Sequence, residues 1–140
     1  MLELELNINP KPTQSVRVGN GRRVYKANEH RKYLETLRFL IRSQLGRNDT
    51  QLFTGPVVLK VDYFFKPPKD LKAIEKEKIR LGVPCYKYTK PDLDNLSKPL
   101  LDALEQEKVY ENDSRVCRIN ATKQYSNEPK ISVIIENLNT

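Results

Sequence analysis

Between Lys90 and Asp113 the chain reads KPDLDNLSKPLLDALEQEKVYEND, which sets Asp92, Asp94, Asp102 and Asp113, with Lys98 among them, around one apolar stripe. Asp92 and Asp94 are two apart, so on an extended chain both carboxylates leave the same side of the backbone. From Asp94 the pattern turns helical: Leu93, Leu96, Leu100 and Leu104 recur at steps of three and four, which gives a helix one apolar face. Asp94, Lys98 and Asp102 follow at steps of four and line up on a different face. Asp113 arrives after a short polar connection.

Carboxylates clustered without histidine or cysteine suit a hard divalent cation, because Mg2+, with Mn2+ as a substitute, prefers oxygen ligands. Asp92, Asp94 and Asp113 are the expected metal ligands. Asp102 lies two turns along from Asp94, about 12 Å by helical rise, and is assigned to support of the site or to structure. Near a phosphodiester, a bound cation lowers the pKa of an attacking water and stabilises charge on the leaving oxygen. Lys98 has two readings of equal weight from spacing alone: an intrahelical salt bridge, or an ammonium that stabilises phosphate charge in the transition state. Pro99 would remove a backbone hydrogen bond inside a helix, so the spacing predicts a start between Asp94 and Ser97 with Pro99 in the first turn. The positive end of the helix dipole then faces the acidic loop.

The elements that position this segment can be read in order. Leu2, Leu4, Leu6 and Ile8 alternate with Glu3, Glu5 and Asn7, the period of a half-buried strand ended by Pro10 and Pro12. Gly19, Asn20 and Gly21 signal a turn between two short basic segments, so KPTQSVRVGNGRRVYK predicts a basic hairpin or loop. Asn28 is the expected N-cap of an amphipathic helix through Tyr33, Leu37, Leu40, Ile41 and Leu45, stopped by Gly46. His30, the single histidine, is assigned to solvent or phosphate contact ahead of catalysis. Val57 to Phe65 alternates as a central strand, with Asp62 as a structural hydrogen-bond acceptor ahead of a metal ligand. A short charged helix from Leu71 to Leu81 and an extended VPCYKYTK, with Tyr86 and Tyr88 read as packing residues, form an insertion over the site. Val116 onward and Ile131 to Ile135 supply two strands, expected to close the chain as a hairpin. Strand, helix, strand, helix, helix, strand, strand predicts an α+β fold over residues 1–140, a single domain with a mixed sheet packed against helices.

The net charge of +7 favours a polyanionic partner. The excess is N-terminal, and Lys11, Arg17, Arg22, Arg23 and Lys26 are the expected DNA-backbone contacts. Cys85 and Cys117 are too few and isolated for a disulfide framework or a zinc site. The absence of an apolar run of membrane-spanning length and of a basic leader with an apolar core predicts a cytoplasmic protein that does not contact membrane.

Alone, D-x-D-N is a weak signal shared with calcium loops and turns. The longer D-L-D-N-L-S-K-P-L-L-D-A-L followed by V-Y-E-N-D-S-R-V resembles the RusA family of Holliday junction resolvases, metal-dependent endonucleases often encoded by phages and prophages. The C-terminal third carries the resemblance closely; P-K-P and the arginine-rich stretch after it carry it loosely. Pro99 and the charged stretch from Lys66 to Lys90 depart from the family pattern. The resemblance places Asp92, Asp94 and Asp113 at metal-binding positions and Lys98 at the catalytic lysine position. It also implies a homodimer acting on symmetrically related strands of a four-way junction, with paired nicks in recombination and repair. The alternatives are a DNA-binding protein with structural aspartates and a metal nuclease for flaps or RNA.

Overall fold

Leu4 and Leu6 are buried while Glu3 and Glu5 are exposed, so the alternation at the N-terminus does form a strand, β1 (Leu2–Leu6). In the computed structural model residues 1–13, 21–46 and 53–138 are described, with 21–26 described as helix backbone alone. The elements after β1 are α1 (Gly21–Leu45), β2 (Val57–Phe65), α2 (Ala73–Leu81), α3 (Leu93–Gln106), a 3-10 turn (Asp113–Arg115), β3 (Val116–Tyr125) and β4 (Lys130–Asn137). This is the expected order, and the fold is α+β.

The sheet runs β1-β4-β2-β3, with β2 antiparallel to β4 and parallel to β3. β2 is therefore internal, as its apolar core face requires. The closing hairpin is not formed, because β4 skips β3 and pairs with β1 and β2. Alternation fixes the face a strand shows, not its neighbour. Parallel strands need a long crossover, and the chain between β2 and β3 supplies one through α2 and α3, leaving the other edge of β2 to β4.

The apolar sides of α1 and α3 bury one face of the sheet. Tyr33, Leu37 and Ile41 from α1 meet Leu96, Leu100 and Leu104 from α3 over Leu59, Val61, Tyr63, Val133 and Ile135. The opposite face is polar: Asp62 accepts the Thr122 hydroxyl proton, Lys60 pairs with Glu136 at 3.4 Å, and Lys130 pairs with Glu5 at 3.4 Å. Asp62 is thus held as a structural acceptor.

Two helix boundaries differ from expectation. α1 begins at Gly21, so Arg22, Arg23 and Lys26 belong to a helix and not to a hairpin arm, while Arg17 and the Gly19–Asn20 turn signal lie outside the described residues. Asn28 is inside α1, where its Oδ1 accepts from Arg31 at 2.9 Å instead of capping. The stop is as expected, with Gly46 at φ +79°, a left-handed conformation that glycine adopts without strain. α3 begins at Leu93 with Asp92 as its extended N-cap residue, and Pro99 lies inside the helix beyond the first turn. The carbonyl of Asn95, four residues earlier, accepts the Thr13 backbone N–H at 2.8 Å. The hydrogen bond that proline cannot donate is replaced from outside the helix, and the buried Pro99 ring packs with the core side of α3.

Candidate active site

α3 runs back along β2. Near its start the Ser97 hydroxyl lies 3.0 Å from the Tyr63 hydroxyl, close to the C-terminal end of β2, and its second half reaches the turn that opens β3. Burial of Leu96, Ser97, Leu100 and Leu104 fixes the rotation of the helix, and Asp94, Lys98 and Asp102 are left together on the exposed side. Asp92 and Asp94 sit exposed at the head of α3. Asp102 is two turns away from Asp94, about 12 Å by helical rise.

Asp113 is placed by three local contacts. Asn112 caps the 3-10 turn, its side chain accepting the Ser114 N–H at 3.0 Å. The Asp113 N–H donates to Glu105 Oε1 at 3.2 Å. The hydroxyl of Tyr110, a fully buried ring, lies 3.0 Å from Asp113 Oδ1 and 3.0 Å from the Leu101 carbonyl oxygen. Sequence spacing does not reveal Tyr110 or Glu105, although Glu105 is one turn beyond Asp102 and shares its side of the helix.

The structure gathers Asp102, Glu105 and Asp113, whose carboxylate oxygens lie within 4.8 Å of one another. Asp92 and Asp94 do not belong to that group. Asp102, assigned above to a supporting place, stands directly beside Asp113. Burial, with the charges of Glu105 and Asp102, raises the Asp113 carboxyl above the ordinary aspartate range, against the lowering effect of the Tyr110 hydrogen bond. Burial and the Asp113 carboxylate likewise raise the Tyr110 hydroxyl, which stays protonated. Among the described residues none of the three acids is ion-paired with a lysine or arginine. An all-oxygen donor set with uncompensated charge fits a hard divalent cation. Arg115, two residues on, is tied to Glu111 through one guanidinium nitrogen while its buried Nε has no hydrogen-bond partner.

Lys98 is exposed, and among the described residues no carboxylate lies within ion-pair distance of it. The intrahelical salt bridge is not made. Lys11 is exposed at the rim of a cavity of about 300 Å³ shared with Lys32, Tyr33 and Thr36. Its backbone N–H donates to the Tyr33 hydroxyl at 3.1 Å, and burial pushes that phenol up to about 12, so it remains a neutral acceptor. His30 is half-buried within the body of α1.

The sequence profile of the family described as endodeoxyribonuclease RusA matches residues 7–136, nearly the whole chain. The chain belongs to the RusA endodeoxyribonuclease family. A relative in Bacillus subtilis (strain 168), the uncharacterized protein YqaN, is 33% identical over 126 residues, which cover 89% of this chain and 85% of that protein. The RusA match runs from the segment just after β1 into β4 and includes the acidic segment, so the family likeness is not confined to the aspartates of α3. Among the described residues Cys85 and Cys117 are free, and no helix is long and apolar enough to cross a membrane.

Proposed function

We propose that this RusA-family chain is a Mg2+-dependent endodeoxyribonuclease, with Mn2+ as a substitute, that resolves Holliday junctions as a homodimer by paired, symmetric nicks. Residues 1–140 are read as one endonuclease domain acting in recombination and repair. The observation that carries the reading is the group of Asp102, Glu105 and Asp113, three carboxylates without a basic partner on a chain of this family.

The proposed catalytic set is Asp92, Asp94, Lys98 and Asp113. The proposed metal ligands are Asp92, Asp94 and Asp113: Asp113 would hold a cation with Asp102 and Glu105 beside it, and Asp92 and Asp94, about two helical turns away at the head of α3, would bind metal there. The cation, when bound, polarises the phosphate and lowers the pKa of water. Tyr110 and the Glu105 carboxylate orient Asp113 through its Oδ1 and its N–H. The Lys98 ammonium, one turn from both Asp94 and Asp102, is free to approach a phosphate oxygen and offset charge that grows in the transition state. Water oxygen forms the new bond to phosphorus, the bond from phosphorus to the 3′ oxygen breaks, and that oxygen takes a proton. The products are a 5′-phosphate and a 3′-hydroxyl. Lys11, Arg17, Arg22, Arg23 and Lys26 are proposed to hold the DNA backbone, the last three from the first turns of α1.

Substrate class is tested by incubating the protein and Mg2+ with matched synthetic four-way junction, flap, linear duplex and RNA substrates. Symmetric nicks are expected in the junction at a rate at least about tenfold above the others. Equal cleavage of flap or RNA would replace the junction resolvase with a general metal nuclease, and binding without cleavage of any of them would replace it with a DNA-binding protein.

A further inference from the structure

We infer that the cavity between α2 and the end of β3 is a second DNA subsite, which seats a phosphate of the strand running into the acidic site and stacks a base on Tyr88. The inference rests on the nuclease reading above and adds to it a surface outside the acidic segment.

The cavity measures about 460 Å³ and is lined by Lys66, Lys72, Lys87, Tyr88 and Tyr125 together with Asp70 and Glu75. Its floor is built by the chain itself. Residues after α2 join the edge of β3: the Lys87 N–H donates to the Lys123 carbonyl at 2.8 Å, the Tyr125 N–H donates to the Cys85 carbonyl at 2.9 Å, and Tyr86 bridges antiparallel to Gln124. Pairing turns the Lys87 side chain over Phe65 and Tyr125, with its ammonium 5.4 Å and 5.5 Å from the two ring centroids. That ammonium donates to Thr89 Oγ1 at 2.8 Å, which leaves two of its three protons for another acceptor.

The electrostatics ask for an anion. Lys123 stands close enough that its charge, after burial, depresses the Lys87 ammonium below the usual lysine range. Lys123 in turn donates to the Thr89 and Pro91 carbonyls at 2.7 and 2.9 Å. Among the described residues neither lysine has a carboxylate within ion-pair distance. Two neighbouring, partly buried cations with hydrogen-bond capacity left over fit a phosphate oxygen.

Tyr86 and Tyr88, expected to pack, are 58% and 86% exposed, so the alternation there does not serve a core. Tyr88 lines the cavity and presents a ring to solvent beside the lysines, the combination that binds single-stranded backbone and base together. Thr89 is three residues before Asp92, at most about 11 Å of extended chain. A stacked strand advances about 3.4 Å per nucleotide, so the subsite would lie roughly three nucleotides from the head of α3.

The test is fluorescence anisotropy of a labelled four-way junction in Ca2+ across a salt series, with thermal melts of each variant and a parallel nicking assay in Mg2+. Tyr88→Ala is expected to weaken binding about tenfold and Tyr88→Phe to restore it, because stacking needs the ring and not the hydroxyl. Lys87→Gln is expected to reduce the slope of log Kd against log salt by about 0.7–0.9, the loss of one phosphate contact. If both variants bind within twofold of the wild type at unchanged slope while the wild type still nicks the junction, the subsite is wrong and the nuclease reading stands. If the variants weaken binding but the wild type nicks nothing, the subsite stands as a DNA contact and the nuclease reading fails. Tyr88 is exposed enough for its alanine variant to fold even where Lys87→Gln does not.

Discussion

Thr13 donates its backbone N–H to the carbonyl of Asn95 at 2.8 Å, and Asn95 is the residue whose helical partner would have been the absent N–H of Pro99. A proline inside α3 thereby fastens the segment after β1 to the first turns of the helix that bears Asp92, Asp94 and Lys98. Pro99→Ala supplies the missing donor and removes the ring that tilts the carbonyl outward. The expected outcome is amide exchange at Thr13 about five- to tenfold faster, the loss of one hydrogen bond of about 1 kcal/mol, with no loss of melting temperature. Exchange at Thr13 as slow as in the wild type would show that the carbonyl serves both donors.

Asp102, Glu105 and Asp113 repel one another when no cation neutralises them. Asp102→Asn removes one of the three charges, and the melting temperature without metal is expected to rise by about 2–5 °C. The same variant is expected to show a smaller rise on addition of Mg2+ than the wild type. A wild-type metal response, measured by differential scanning fluorimetry, would take Asp102 out of the cation's neighbourhood.

Glu107 ties the end of α3 to α1, accepting from Arg42 Nε at 2.8 Å and from Arg38 Nε at 2.8 Å. The Arg42 hydrogen bond, then that of Arg38 together with both charges, holds the carboxyl below the usual glutamate range in spite of burial. A depressed folded-state pKa stabilises the fold above the ordinary value of 4.5, and this contribution is lost as pH falls through the folded-state value. Glu107→Gln is therefore expected to cost about 1–2 kcal/mol at pH 7, tempered by the solvent around both arginines, and less at pH 3, below the ordinary value. Equal losses at both pH values in urea titrations would mean that packing, not charge, makes the contact.

Arg22 and Arg23 lie in the first turn of α1, ahead of the part that packs on the core. Arg22→Ala combined with Arg23→Ala is expected to weaken junction binding and to lower its salt slope by up to about 1.8, two phosphate contacts. An unchanged slope would take the start of α1 out of the DNA interface.

The order of elements was legible because each has a clean period: two at Leu2 to Leu6 and Val57 to Phe65, three and four from Leu93 to Leu104. Strand neighbours were not, since β4 shows the same alternation whether it pairs with β3 or β2. The start of α1 was hidden by Gly19, Asn20 and Gly21, whose turn signal masks a helix that its later apolar face stabilises. In the site, the alignment of Asp94, Lys98 and Asp102 on a face other than the apolar one followed from spacing alone; that Lys98 is exposed did not. The approach of Asp113 to Asp102 and Glu105 did not, because it depends on where α3 ends, on the buried Tyr110 ring and on the Asn112 cap.

Nicking of a synthetic four-way junction by wild-type protein and by Asp92→Asn, each with Mg2+ and with chelator, bears most directly on the metal-dependent nuclease. Paired nicks by the wild type are expected in Mg2+ and none in chelator, with at least about a hundredfold loss in Asp92→Asn and junction binding retained. Cleavage by Asp92→Asn at the wild-type rate, or by the wild type in chelator, would contradict a metal-dependent nuclease of this kind.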